Sequence, residues 1–241
     1  MTDNPFSYSK ALSRSMRHYS DHFILFLTLS FFASILPLCS LILEVFLPDL
    51  SSDISWMFLP AIFGLYVLSL MALIEAVGRT FGGEIVSLKE VMLSSWGRFW
   101  PGLQGYLLFI LIVLLGLVML VVPAIYWMTI FTFFLFVLVL EDKKPWASFR
   151  RSHELVKVDF LKVFRAHVIV LTITIALFLP LFIGMFLLFM PLPVKKIFTG
   201  LLEVLLLPFY MGFYYQLYDH LRCLKDGRSN IHESLAPRNS P

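Results

Sequence analysis

The chain has 241 residues, of which 59% are hydrophobic and only 15% are charged, and its mean hydropathy is +0.84. Soluble domains carry about 25% charged residues, so this composition excludes an ordinary soluble protein. The net charge is only +3, which argues against nucleic acid as a partner. The composition therefore predicts an all-α integral membrane protein.

The first predicted element is an amphipathic helix over residues 1–22. Its apolar side chains recur at the spacing of one helical face, and basic side chains that include Arg14 and Arg17 lie opposite. Such a helix lies in the headgroup region of a membrane, so both arginines are expected to contact lipid. His18 and His22 are four residues apart, but no third ligand accompanies them, so neither a metal nor a cofactor is predicted.

Six apolar runs follow, and each predicts a transmembrane helix, which needs about 20 apolar residues. They cover residues 23–46, 57–77, 103–122, 124–140, 166–190 and 198–217. One helix over residues 106–140 would be about 50 Å long, against a hydrocarbon core of about 30 Å. Pro123 is therefore predicted to mark a tight turn between the third and fourth spans.

The distribution of basic residues predicts the orientation. Of the 19 Lys and Arg residues, all except Lys195 and Lys196 fall on one side of a six-span topology. Cytoplasmic segments are enriched in Lys and Arg. The chain is therefore predicted to be a multi-pass membrane protein with both termini in the cytoplasm. Residues 23–217 form its membrane domain, and residues 218–241 form a tail whose end is predicted to be disordered.

Two more amphipathic helices are predicted on the cytoplasmic surface, at about residues 87–100 and 145–164. Ser87 and Glu90 have the spacing of a capping box at the start of the first. We expect their basic and aromatic residues to contact anionic lipids of the inner leaflet, with docking of a protein partner or a second copy as the alternative. The residues concerned are Arg98, Trp146, Arg150, Arg151, Lys157 and Lys162.

Three carboxylates lie within or at the edge of predicted spans, namely Glu44, Glu75 and Glu203. An ionisable residue in a span is a candidate proton or substrate site, because its burial in lipid is costly. Each also has a structural interpretation: Glu44 lies near the headgroups, Glu75 can pair with Arg79 four residues later, and Glu203 can extend outward.

Proline offers a second indication of a functional site. Pro180 and Pro208 interrupt the fifth and sixth spans, and broken helices line substrate sites in transporters. Proline is also ordinary in membrane helices, where neighbouring groups bind the freed carbonyls. A hinge and a simple kink therefore both remain open at these positions.

Several segments resemble a bacterial family. The run "LLGLVMLVVPAIYW", the stretch "VLEDKKPWASFRRSHELVK" and the closing "FYYQLYDHLRCLKDG" are similar to the YciC-like inner-membrane proteins, related to the membrane domain of some glycerophosphodiester phosphodiesterases. The family pattern has a Leu-rich helix ending at Pro-Gly-Ile-Tyr, an acidic turn and an A-x-x-R-S-x-x-L helix. Ala124 stands where the family has Gly. The resemblance implies a six-span protein of the bacterial inner (cytoplasmic) membrane, from a group that has no agreed biochemical activity.

The predicted function is a non-catalytic membrane protein that acts as a lipid-interacting scaffold or an accessory subunit in envelope maintenance. One alternative is a small lipid or solute transporter that uses Glu75 or Glu203. A second alternative is a membrane-embedded enzyme acting on lipids, but the sequence shows no converging catalytic residues. No catalytic residue is predicted.

Overall fold

The computed structural model describes residues 6–33 and 48–227, which fold into helices joined by short connections, with no strand among them. The helices are α1 (Tyr8–Asp21), α2 (Phe23–Ala33), α3 (Pro48–Phe81), α4 (Leu88–Gly97), α5 (Phe99–Met119), α6 (Val121–Ile130), α7 (Phe134–Leu140), α8 (Pro145–Val158), α9 (Phe160–Leu187) and α10 (Leu192–Asp226). The all-helical prediction is confirmed for this part of the chain.

Five segments are long and apolar enough to cross a membrane, which indicates a multi-pass membrane protein. They are Pro60–Phe81, Phe99–Met119, Val121–Leu140, Phe160–Leu187 and Ile197–Asp226. They correspond to the second to sixth predicted spans. The first predicted span begins with the apolar helix α2, and its remainder, including Glu44, lies outside the described residues.

The turn between the third and fourth spans lies at Leu120, three residues before its predicted position. Leu120 has an extended backbone, and Pro123 lies in the first turn of α6. Proline is tolerated there because the first N–H groups of a helix have no intrahelical acceptor. At Gly116, a Cβ would lie 2.8 Å from Cα of Ala124, so glycine permits the close approach of α5 and α6.

The fourth span is broken between α6 and α7, and α8 packs against the break. The hydroxyl of Ser152 donates to the carbonyl of Ile130 at 2.8 Å and accepts from the N–H of Phe133 at 3.2 Å. The ring of Phe149 stacks on that of Phe134, with centroids 4.7 Å apart. The face of α8 that was predicted to lie on headgroups is therefore largely buried against protein.

Two helix boundaries differ from the sequence predictions. The helix predicted over residues 145–164 ends at Val158, because the Asp159 side chain accepts from the N–H of Lys162 and caps the start of α9. The last helix continues to Asp226, so residues 218–226 are not part of a tail. Tyr218 and Leu221 are buried there, and this burial explains why the helix continues.

Candidate functional site

Polar and charged side chains meet at one end of the helical bundle, which we call the polar end. It comprises α1, α4 and α8, the C-terminal ends of α3, α7 and α10, and the N-terminal end of α5. Gln216 of α10 donates to the carbonyl of Ala11 in α1 at 2.9 Å. His18 of α1 lies 2.9 Å from the hydroxyl of Thr80 in α3. The helix ends are thus joined by polar contacts as well as by packing.

Glu75 is buried and paired at the polar end. Its carboxylate lies 3.4 Å from the guanidinium of Arg98 and 3.9 Å from that of Arg79. Arg79 also pairs with Glu84 at 2.6 Å. The pair with Arg79 is the structural interpretation offered by the sequence, whereas the closer contact with Arg98 comes from a different helix. Glu75 therefore has two arginine partners, one on its own helix and one at the junction of α4 and α5.

Arg98 joins three elements instead of extending into the headgroup region. Its guanidinium donates to the carbonyl of Val139 at 2.9 Å and to the hydroxyl of Ser94 at 3.1 Å, and it pairs with Asp142 at 3.1 Å. With its contact to Glu75, this side chain connects α3, α4 and the end of α7. Its role in the structure is to fix the helix ends relative to each other.

A second charged group of the polar end is Glu141, which sequence reasoning missed. Its side chain is only 8% exposed, and its carboxylate lies 2.7 Å from Lys143 and 3.5 Å from Arg151. The hydroxyl of Tyr218 donates to it at 2.8 Å. Burial by itself raises the pKa of this carboxyl, but the hydrogen bonds from Lys143 and Tyr218 and the charge of Arg151 outweigh burial, so the pKa is lowered.

Arg151 was predicted to contact lipid, but it is bound within the protein. Its side chain is 13% exposed and donates to both carboxylate oxygens of Asp226, at 2.7 and 2.6 Å. Together with its contact to Glu141, this pair ties α8 to the end of α10. Arg222 lies 4.0 Å from Glu141 and 3.9 Å from Asp226 and extends the same network. The acidic turn after α7 was the one sequence signal for this network.

The other predicted lipid contacts lie nearer the surface. Trp146 is 75% exposed, and Arg14 and Arg17 are exposed on α1. Arg150 is exposed and pairs only loosely, at 3.4 Å, with Glu154. Lys162 pairs with Asp159 at 3.0 Å, so its charge is partly neutralised inside the protein.

Lys157 lines a cleft between three helices. The cleft has a volume of about 320 Å³ and is lined by Tyr126 and Ile130 of α6, His153 and Lys157 of α8, and Phe160 of α9. We call it the α6–α8–α9 cleft. Lys157 and His153 are exposed. Of the predicted lipid-contacting residues, Lys157 therefore has both an exposed charge and a concave surface beside it.

The remaining predicted residues do not converge. Glu203 is exposed on α10, away from the paired carboxylates of the polar end. Pro180 lies within α9 and Pro208 within α10, and both helices continue through them. Pro180 is exposed and Pro208 is buried. The structure therefore does not bring Glu203 and Glu75 together.

His18 and His22 lie beside each other, and both rings also contact the ring of Phe26. Their ring centroids are 4.8 Å apart, and the His18 ring also packs on Phe81 at 3.9 Å. Burial lowers the pKa of His18 to about 4, and the neighbouring His22 acts in the same direction, whereas Asp21 opposes it. Within residues 6–33 and 48–227 there is no group of three metal-ligating side chains.

Comparison of the chain with protein-family models, with curated proteins and with solved structures finds no match. The resemblance to the YciC-like proteins therefore stays a prediction.

Proposed function

We propose that this chain is a non-catalytic, six-span inner-membrane protein that acts as a lipid-interacting scaffold. The observation that carries the proposal is the contrast between its apolar surface and its polar end. Only 17% of the apolar stretch of α5 and 6% of that of α9 are buried by the protein itself. These faces need lipid or another apolar surface, because water does not cover contiguous apolar area of this size at low cost.

The polar end supports a structural role for the charges. Glu75 and Glu141 are both paired with arginines inside the protein. A transported proton or substrate would have to displace these arginine partners from the carboxylate. Of the two predicted carboxylates in the described residues, Glu203 is thus the one left for the transporter alternative.

The proposed orientation of the protein in the membrane follows from the charges of the polar end. α1, α4, α8 and the C-terminal end of α10 belong to the polar end and carry nine of the 19 Lys and Arg residues of the chain, whereas only Lys195 and Lys196 fall on the opposite side of the predicted topology. The positive-inside bias favours a cytoplasmic polar end. Exposed Trp96, Trp100 and Trp146 near this end are typical of the membrane–water interface, where aromatic side chains concentrate.

The function is tested by extracting the protein in native-lipid particles and measuring its lipids by mass spectrometry. We expect anionic phospholipids to be enriched relative to the bulk membrane extract. A lipid composition equal to that of the bulk extract would contradict the scaffold proposal. A solute or lipid flux in reconstituted vesicles that disappears in Glu203→Gln would favour the transporter instead.

The orientation is tested with single-cysteine variants. The chain has two cysteines, Cys39 and Cys223, which are first replaced by serine. In intact cells, a membrane-impermeant maleimide is expected to label Leu120→Cys and to leave Arg150→Cys unlabelled until the cells are opened. The reverse pattern would place the polar end outside the cytoplasm.

A further inference from the structure

We infer that the α6–α8–α9 cleft binds the phosphate-bearing headgroup of an anionic phospholipid. This inference rests on the proposed function, because it requires that α6 and α9 face lipid. It goes further by naming one site and one class of lipid, whereas a scaffold could be held by diffuse contacts over its whole surface.

The charge of the cleft is available to a ligand. Among the described residues, Lys157 makes no ion pair, and the two carboxylates nearest in sequence have other partners. Glu154 pairs with Arg150 at 3.4 Å, and Asp159 pairs with Lys162 at 3.0 Å. An unpaired ammonium beside concave apolar surface favours an anion, since a lysine can place three N–H donors around phosphate oxygens.

His153 adds a second polar group on the same side of the cleft. It precedes Lys157 by four residues in α8, so the two side chains lie on one face of that helix. A neutral imidazole carries one N–H donor, whichever nitrogen holds the proton. The cleft therefore offers an ammonium and an imidazole donor together, and its lining contains no carboxylate.

The opposite wall of the cleft is aromatic. The rings of Tyr126 and Phe160 lie with their centroids 5.6 Å apart, and Phe160 stacks on Phe164 at 6.2 Å. Ligand pockets commonly have volumes of roughly 300–1,000 Å³, with mostly apolar linings and a few placed polar groups. A cleft of about 320 Å³ is near the lower limit, which fits a headgroup better than a whole lipid.

The cleft continues into exposed apolar surface. Val122 lies one helical turn from Tyr126 on α6, and Phe164 and Val168 follow Phe160 at successive turns of α9. All three are exposed. A lipid with its phosphate at Lys157 could lay its acyl chains along these two helices. A free phosphate ion would gain nothing from this surface, so the observations favour a lipid.

The experiment uses the full-length protein in vesicles of equal parts phosphatidylglycerol and phosphatidylcholine. Native mass spectrometry measures how much of each lipid stays bound after release. The variant is Lys157→Gln, and the matched control is Lys144→Gln, an exposed lysine at the N-cap of the same helix. Both variants remove one positive charge, and both side chains are exposed, so neither change disturbs the core.

We expect wild type to retain phosphatidylglycerol in preference to phosphatidylcholine. Lys157→Gln should lower the retained phosphatidylglycerol roughly fivefold, with Lys144→Gln close to wild type. Equal loss in both variants would overturn the site and leave the scaffold proposal standing, since it would indicate general surface charge. No preference for phosphatidylglycerol in wild type would overturn both proposals.

Two further outcomes would identify a different ligand for the cleft. Stronger retention of phosphatidylcholine that depends on Lys157 would overturn the anionic assignment, because choline can bind aromatic rings through its quaternary ammonium. Displacement of the bound phosphatidylglycerol by soluble glycerol phosphate would identify the cleft as a site for a water-soluble phosphate and would overturn the lipid assignment.

Discussion

Replacing Ser152 with alanine should destabilise the protein by breaking the connection between α6, α7 and α8. The Ser152 hydroxyl is fully buried and bonds both to the carbonyl of Ile130 and to the N–H of Phe133. Alanine would leave these two backbone groups at the helix break without this partner. An unsatisfied buried group costs about 1–3 kcal/mol, so Ser152→Ala should lower the free energy of unfolding by about 2–5 kcal/mol.

Ser148→Ala provides the matched control. Ser148 is also fully buried on α8, but its hydroxyl donates to the carbonyls of Lys143 and Lys144. The Lys144 carbonyl already accepts from the Ser148 N–H at 2.9 Å, so its loss should cost about 1 kcal/mol or less.

The two serine variants are compared by titrating the protein from mild micelles into sodium dodecyl sulfate while following helix content by circular dichroism. Equal losses of stability in the two variants, or an unchanged Ser152→Ala protein, would refute the idea that Ser152 holds the helix break together.

Three further predictions concern pH, charge and packing. The pKa of His18 is about 4 in the folded protein and 6.5 ordinarily, so the unfolded chain binds more protons between these values and stability should fall as the pH is lowered from about 6.5 to about 4. The loss of stability is at most about 3 kcal/mol, and about 1–2 kcal/mol for a partly exposed ring. In His18→Gln, the fall of the free energy of unfolding between pH 6.5 and about 4 should disappear. If it persists, another group causes it. Glu141→Gln should cost about 2–3 kcal/mol, because it removes the charged partner of the partly buried cations Lys143 and Arg151. Because the folded pKa of Glu141 is lowered, the difference from wild type should shrink as the pH falls below about 4.5. A difference that is constant with pH would contradict this. Gly116→Ala should cost roughly 1–3 kcal/mol because its methyl group would meet the backbone of Ala124, whereas Gly184→Ala, with nothing within 4 Å, should be neutral or slightly stabilising in the same titration.

Local patterns in the sequence predict most of the helices. The capping box of Ser87 and Glu90 is present at the start of α4, and the pair of Glu75 with Arg79 follows from a spacing of four residues. Hydropathy alone locates the second to sixth spans. These features depend on neighbours within one or two helical turns, so a single sequence contains the information that determines them.

The paired charges of the polar end could not be predicted in the same way. Glu141 binds Tyr218, which is 77 residues away, and Arg151 binds Asp226, which is 75 residues away. A basic residue near an apolar run has the same local signature whether it faces headgroups or a distant carboxylate. Arg151 was therefore assigned to lipid, although the fold surrounds it with protein.

The helix boundaries that differ from prediction have the same cause. The sixth span was predicted to end at residue 217 with a tail after it, but Tyr218 and Leu221 are buried and α10 continues to Asp226. A residue that precedes a proline disfavours helical backbone, yet Val122 lies within α6. Pro123 is tolerated there because a proline in the first turn of a helix loses no intrahelical hydrogen bond. Tertiary packing and the position within the helix decide both cases.

The contact between α1 and α10 also sets an order in time for the assembly of the protein. Gln216 donates to the carbonyl of Ala11, and these residues are separated by 205 positions in the chain. At a synthesis rate of roughly 5–20 residues per second, α1 is made about 10–40 s before its partner helix. Until α10 is made, the side of α1 that contacts α10 is uncovered, so a ribosome that stalls before α10 would leave α1 with its contacts to α3 and without its last partner helix.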